Sequence, residues 1–346
     1  MIKIDGSLGE GGGQVLRSAL TLSLLVQKPF RISNIRGRRK NPGLRAQHLA
    51  SVHAAGVVGE ADLEGDELGS QDLTFQPSGL KAGEYRFEIG TAGSCSLVLQ
   101  TIFLPLARAG AGSRVEITGG THVKWSPTYE YIDRVWLPVM KMLGYPADIS
   151  LREAGFYPRG GGKIEVFVSP GHADGGLNAE RSQADQLFEG LSLSANLPEH
   201  VAERQRSRML ERLAEHDLSA EIEILRPGSV GRGSAVFITG SADRTYFGFS
   251  ALGAKGKPAE VVAEEAVEQM LSFIQTGTAV DRYLADQLLI PLAVASEPSQ
   301  FTVDGATQHL FTNADIVRQF IDAEIEIIEA HEGAKTRVEI EPAPPG

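Results

Sequence analysis

A short alternation recurs through this chain and fixes the kind of fold open to it. Arg86-Phe87-Glu88-Ile89, Arg114-Val115-Glu116-Ile117, Lys163-Ile164-Glu165-Val166 and Arg337-Val338-Glu339-Ile340 all read basic, apolar, acidic, apolar. Period-two alternation describes a strand with one wet face and one dry face. Elsewhere the period changes. Ile132, Val135, Trp136, Val139, Met140 and Leu143 fall on one face of a helix, a core stripe and not a cofactor box. Strands with one dry face, separated by helices able to cover it, predict an α+β protein built from repeated strand and helix units.

The chain opens with one such combination. Met1 to Asp5 reads as a short strand, Gly9-Glu10-Gly11-Gly12-Gly13-Gln14 as a turn, and Val15 to Val26 as an apolar helix. A helix that starts on a glycine turn leaves backbone N–H groups free, which makes an anion seat. No Lys-Ser/Thr pair closes the turn, so it is not a Walker loop. Glu10 would repel a phosphate unless a cation stood between them. The turn therefore predicts either a hard divalent metal bridging Glu10 and a polyphosphate, or a tight turn with one solvated carboxylate.

After a strand from Phe30 to Ile35, Arg36, Arg38, Arg39, Lys40 and Arg45 cluster around Pro42-Gly43. A loop of arginines can seat phosphates bidentately; the competing reading is a solvated charged turn. A helix from Leu44 to Val57 opens on Gln47-His48 and carries His53. At that spacing the two histidines face different ways and cannot be a zinc pair. His48 is a candidate contact to phosphate or hydroxyl, against the plainer reading of a surface histidine. The grammar of strand, turn and helix returns in Tyr85 to Ile89, Gly90-Thr91-Ala92-Gly93-Ser94, and an apolar helix Cys95 to Ala107 containing Gln100. A second glycine run, Gly160-Gly161-Gly162, lies between strands Asp148 to Arg152 and Lys163 to Val168.

Residues 170–186 are rich in Gly, Ala and Asp and read as a linker. Beyond them a strand, a helix, three strands and a long helix form a compact α/β unit, placed at 184–276 as an inserted domain. The main domain then comprises 1–183 and 277–346, as suits 346 residues. Tyr283-Leu284-Ala285-Asp286-Gln287 begins a helix, and a strand follows from Gln300 to Val303. His309 sits in a polar, turn-rich stretch ahead of the last helix, where a side chain reaches solvent.

Composition closes off several classes. A net charge of −11 gives no global field for nucleic acid, so any such partner needs a local basic patch. The single cysteine, Cys95, excludes an intrachain disulfide and a cysteine zinc site. No apolar run reaches membrane-spanning length, and Met1-Ile2-Lys3-Ile4-Asp5-Gly6 lacks a signal-peptide core, so a cytoplasmic protein with no membrane partner is expected. The sequence leaves homo-oligomerisation open.

These stretches, taken in order, resemble the RNA 3′-terminal phosphate cyclase family. The likeness rests on Gly9 to Gln14 with Arg17-Ser18, the arginine loop closing on Pro42-Gly43 and Gln47-His48, Gly90 to Ser94 with Gln100, Tyr283 to Gln287, and His309-Leu310 with Thr312-Asn313. It covers essentially the whole chain. The resemblance implies three βαβαββ units, like the C-terminal domain of translation initiation factor three, with an inserted smaller α/β domain. It implies that ATP and an RNA 3′-phosphate give a 2′,3′-cyclic phosphate, AMP and pyrophosphate. His309 would take AMP as the nucleophile, and Glu10 would hold a divalent metal (Mg or Mn). Gln100 and Tyr283, Leu284, Ala285, Asp286 and Gln287 would bind ATP, with Tyr283 and Pro127 sandwiching adenine. Arg17, Arg39, Gln47 and His48 would handle phosphates and the RNA end. The basic loop departs from the family where Asn41 precedes Pro42, which leaves the choice among Arg38, Arg39 and Lys40 open.

Two other readings stand beside this one. A non-catalytic cyclase-like protein of ribosome assembly would lack the histidine nucleophile, which His309 opposes. An enolpyruvyl transferase would lack both the insert and the histidine motif, and would need no ATP.

Overall fold

The computed structural model describes residues 1–180, 187–242, 245–329 and 335–343. It is a mixed α+β architecture of small mixed sheets and packed helices. In the first sheet β1 (Ile2–Asp5) runs parallel to β2 (Phe30–Ser33). β2 pairs antiparallel with β4 (Leu73–Gln76), and β4 with β3 (Asp62–Glu64). The second sheet takes the same order and senses, with β5 (Glu84–Glu88), β6 (Ser113–Gly119), β8 (Gly162–Val168) and β7 (Ala147–Glu153) side by side. After β9 (Asn178–Ala179) the chain builds a differently ordered sheet. Here β10 (Leu187–Ala195) lies between β11 (Ser219–Leu225) and β12 (Gly233–Ala242), and β13 (Thr245–Leu252) lies beyond β12. Only then does β14 (Ser299–Val303) pair with β9. Together with β16 (Thr336–Glu341) and β15 (Glu324–Ile328) they repeat the order of the first two sheets.

The four alternating tetrads lie on β5, β6, β8 and β16 or at their ends. They do not occupy one equivalent place in each sheet, so the alternation reports a wet face and not a repeat. On β6 and β8 that face is laced across strands. Lys163 meets Glu116 at 3.3 Å and Arg152 meets Glu165 at 2.7 Å. The opposite face turns Val115, Ile117, Ile164, Val166 and Val168 into the core.

The helical layer centres on α1 (Gln14–Val26), which is buried from Gln14 to Leu24 apart from Arg17. It packs against α2 (Ala46–Val58), α3 (Cys95–Ala107) and α9 (Gln308–Phe320). The α1–α3 contact has a chemical reason. Pro105 lies inside α3 and cannot donate to the carbonyl of Thr101; the Thr21 hydroxyl of α1 donates to that oxygen instead, at 2.8 Å. The stripe from Ile132 to Leu143 proves helical but not uniformly so. Between α4 (Tyr129–Tyr131) and α5 (Leu137–Met142) the residues Ile132–Trp136 form a π-turn, with the Leu137 N–H reaching back to Ile132 O. Pro138, which has no N–H, follows at once, where the hydrogen-bond register must slip.

The sheet containing β10 is covered on both sides. Phe188, Val236, Ile238 and Phe247 face α6 (His200–Ala214) and α7 (Ala259–Thr276) in a core of their own. Leu191, Leu193, Ala235 and Phe237 point the other way and join the main core. The π-turn packs on that side against β13. The stretch 170–186 is not simply a linker: Ala173 and Leu177 are buried, and β9 is the edge strand of a sheet. Residues 181–186, and with them the expected boundary at 183/184, lie outside the described residues.

Candidate active site

The glycine turn is wedged between three elements, and its glycines are what allow this. A Cβ on Gly9, where φ is +58°, would lie 2.1 Å from Thr312 Oγ1 on α9. One on Gly13 would lie 2.2 Å from His48 Nε2 on α2 and 3.0 Å from an Arg17 guanidinium nitrogen. Gly13 is also the N-cap of α1 and supplies no capping side chain, and the first turn carries no acidic residue. Amide N–H groups therefore stay available at the positive end of a helix, as an anion seat requires.

His309 differs from its expected loop setting. It lies in the first turn of α9, because Thr307 caps the helix by accepting from the Leu310 N–H at 3.1 Å. Its ring stands between two carboxylates. Nδ1 is 3.5 Å from Asp286 Oδ2, and Nε2 is 3.5 Å from Glu10 Oε2. Asp286, through a hydrogen bond and its charge, and then Glu10 raise the imidazole pKa above 6.5, against the opposing effect of partial burial. Asp286 belongs to α8 (Arg282–Ala293). The Gln14 amide donates to Asp286 Oδ2 and to His309 O, each at 3.2 Å, and so ties α1, α8 and α9 together. Asn313 donates to Asp286 O at 2.8 Å and accepts from the Ser18 hydroxyl at 2.5 Å. Gln14, Ser18 and Asn313 carried no individual role in the sequence reading. Only the long-range contacts give them one.

The arginine loop folds onto the glycine turn with Arg38 and Arg39 still exposed. Arg38 donates to Gly9 O at 2.8 Å, Arg39 pairs with Glu10 at 3.1 Å, and Arg36 donates to Asn41 O and Gly43 O at 2.7 and 3.0 Å. Lys40 is exposed. Arg17 is half-buried beside Gly13, and its guanidinium has no protein hydrogen bond among the described residues. Burial lowers its pKa to about 10, which leaves it charged at neutral pH. His48 is pushed down to about 3, first by burial and then by Arg17, Arg36 and Arg45, so it is neutral. Its Nδ1 accepts from the Arg45 N–H at 3.2 Å, which places the proton on Nε2, beside Gly13. Gln47 accepts from the Ser94 N–H at 2.8 Å and so joins α2 to the turn Gly90–Ser94.

The 283–287 segment divides by exposure. Leu284 and Ala285 are buried in the core, so Tyr283, Asp286 and Gln287 are the side chains that reach the surface. Gln100 donates to Gln287 Oε1, and Gln287 donates to Tyr283 O. Pro127 is half-buried and precedes α4. There the Tyr131 hydroxyl donates to Asp281 at 2.8 Å, and Asp281 caps α8 by accepting from the N–H groups of Tyr283 and Leu284. Burial raises Asp281 to about 7. Pro127 and Tyr283 thus flank one buried clasp.

Among the described residues, no three His, Cys, Asp or Glu side chains converge as a self-contained metal cage. Glu10 still suits a shared site. Arg39 and His309 both meet Oε2, and Oε1 has no protein partner among the described residues. Magnesium is commonly held this way, by one carboxylate together with substrate phosphates and water.

Comparison with known proteins finds chains similar to this one over most of its length. A family model described as RNA 3′-terminal phosphate cyclase matches residues 8–327. A protein of Nostoc punctiforme named RNA 3′-terminal phosphate cyclase is 45% identical over 338 residues, covering 95% of this chain and 97% of its own. Proteins of the same name from Ectopseudomonas mendocina (42% identity, 96% of each chain) and Methanopyrus kandleri (41% identity, 99% of each) are similar over comparable spans. A solved enolpyruvyl transferase, NikO from Streptomyces tendae, matches with a TM-score of 0.29 at 15% identity over 48% of this chain and 32% of its own. A score that low identifies neither fold nor function.

Proposed function

The chain belongs to the RNA 3′-terminal phosphate cyclase family, and from that premise we propose that it uses ATP to convert an RNA 3′-terminal phosphate to a 2′,3′-cyclic phosphate. AMP and pyrophosphate are the other products. Its three like-ordered sheets and their helices are three copies of one βαβαββ unit, and the smaller domain of about 184–276 is inserted in the third.

A phosphate monoester is a poor electrophile until it carries a leaving group. His309 Nε2 attacks the α-phosphorus of ATP, the bond to the β-phosphate oxygen breaks, and pyrophosphate departs. Asp286 at Nδ1 holds the ring so that Nε2 presents its lone pair. An oxygen of the RNA 3′-phosphate then takes the AMP and releases His309. Finally the vicinal 2′-hydroxyl attacks the activated terminal phosphorus, AMP leaves, and the hydroxyl proton is lost. Ring closure is fast because the hydroxyl is already beside the reacting atom.

Arg17, Arg39, Gln47 and neutral His48 receive the phosphates of ATP and of the RNA end. Tyr283 and Pro127 enclose adenine, with Gln100, Asp286 and Gln287 behind them. Leu284 and Ala285 support that wall from the core. Glu10 would hold a divalent metal together with phosphate oxygens, and such an ion neutralises charge on the transferring phosphoryl group.

The observation that carries this reading is the His309 ring between Asp286 and Glu10, beside a half-buried arginine and an uncapped helix N-terminus. The test is incubation with α-labelled ATP and magnesium. The protein should acquire acid-labile AMP, and folded His309→Ala should acquire none. Full labelling of that variant would remove His309 from the role.

A further inference from the structure

The second glycine run has no part in the chemistry above, yet it lies at the centre of a surface with a marked composition. Three loops meet there: 120–127, 154–162 and 226–233. Main-chain contacts knit them together. The N–H groups of Thr121 and His122 donate to Gly155 O, and the Ala154 N–H donates to Gly228 O at 2.8 Å. His122 and Phe156 stack with centroids 5.1 Å apart, and Arg159 donates to Val230 O at 3.0 Å. The buried pair of His122 with Glu130, at 2.9 Å, anchors the first loop from below.

Against a net charge of −11, these loops contain no acidic residue. Lys124, Arg159 and Arg232 are exposed on them, whereas Arg226 is paired with Glu199. Two large aromatic residues also face solvent, Trp125 at 95% and Tyr157 at 79% exposure. Trp125 is held at φ +66°, a left-handed conformation that a bulky residue rarely adopts. The surface reaches the active site through one intervening turn. A Cβ on Gly160 would lie 2.7 Å from Thr91 O and 2.8 Å from Ala92 Cα, in the turn whose Ser94 N–H is bonded to Gln47.

We propose that this surface is the track for the single-stranded RNA leading into the reacting 3′ end. Trp125 and Tyr157 stack its bases, and Lys124, Arg159 and Arg232 meet its phosphates. Exposed aromatic rings interleaved with cations bind single strands without sequence preference, because every base offers a π-face. A duplex buries those faces. The proposal rests on the reading of the chain as an RNA-end enzyme, but it concerns binding and not transfer.

The test separates the two. Fluorescence anisotropy without ATP compares a labelled 3′-phosphorylated dinucleotide with a single strand of about 12 nucleotides, for the wild type and for Trp125→Ala/Tyr157→Ala. The long strand should bind the wild type more tightly. Each aromatic removed should weaken it about 5-fold or more, while the dinucleotide and AMP labelling are unaffected. Both side chains are exposed, so truncation loses little packing. Lys124→Ala and Arg232→Ala should each flatten the salt dependence by about 0.7 in log–log slope. An undiminished length preference in the double variant overturns the proposal, as does equal loss for a blunt duplex. Capture of the wild type by phosphatidylserine vesicles through these aromatics, with no RNA length preference, also overturns it. A length preference that depends on the aromatics in a protein that never labels with AMP would support the track and refute the enzymatic reading.

Discussion

The Gly9–Thr312 approach gives a quantitative test of how the glycine turn is held to the helix bearing His309. Gly9→Ala meets two costs. The residue sits at φ +58°, where an L side chain costs about 1–2 kcal/mol. Its Cβ would lie 2.1 Å from Thr312 Oγ1, well inside the ordinary approach of roughly 3.5 Å, and the hydroxyl is fixed by its 2.7 Å bond to Gln308 O. Relief of such an overlap in a packed setting costs about 1–3 kcal/mol. The variant should therefore lose about 2–5 kcal/mol. Thr312→Ala alone should lose about 1 kcal/mol with its hydrogen bond. In the double variant Oγ1 is gone and the nearest Thr312 atom left is Cβ at 3.2 Å, so most of the steric part disappears and mainly the backbone part remains. Urea unfolding of the four proteins should thus show a coupling of about 1–3 kcal/mol, and AMP labelling, depressed in Gly9→Ala, should partly recover in the double variant. Additivity within about 0.5 kcal/mol would refute the proposed contact.

Labelling should rise with pH as His309 loses its proton, through a pKa that Asp286 and Glu10 hold above 6.5; Asp286→Asn should move that rise to lower pH, and an unmoved profile would contradict the assignment of Asp286. The same pairing stabilises the fold below the imidazole's ordinary pKa, and that contribution fades as pH climbs through the raised value. Arg39→Ala should lower the salt dependence of RNA-end binding by about one phosphate contact; an unchanged slope with normal turnover would assign Arg39 to Glu10 alone. Cys95 is buried and its thiol is pushed up to about 12, so thiol reagents should find one group only after unfolding, and reaction of the native protein would contradict its placement. Glu130→Ala strips the hydrogen-bond partner from buried His122 and should cost about 1–3 kcal/mol, measured by the urea midpoint.

Local chemistry was legible in the sequence and long-range partnership was not. The helix Cys95–Ala107 appears with its expected bounds, because Ser94 supplies a side-chain cap and an unbroken apolar run follows. Leu187–Ala195 likewise appears where the change of rhythm places it. The π-turn at Ile132–Trp136 left no mark in a stripe that reads as ordinary helix. His309 read as a loop residue because Thr307 and Gln308 look like turn chemistry, when Thr307 is in fact a cap. Asp286 was read with its segment as a nucleotide contact. Its place beside the imidazole depends on α8 meeting α9, and no spacing within the chain announces that. Glu10, the arginine loop and His309 stand out in the sequence itself; the contacts explain why Glu10, Arg39, Asp286 and His309 belong to one cluster.

The delayed pairing of β9 bears on how the protein is made. Asn178–Ala179 emerges from the ribosome early, but its neighbour β14 begins at Ser299, and β16 ends at Glu341. The first two sheets can close while this edge strand waits. At roughly 5–20 residues per second, many seconds of translation separate the appearance of the glycine turn and arginine loop from that of Asp286 and His309. On the proposed mechanism, the nascent chain would hold its phosphate seat long before its nucleophile. Reactivity toward a nucleotide would begin only as the last sheet closes, so that premature or truncated chains are chemically silent.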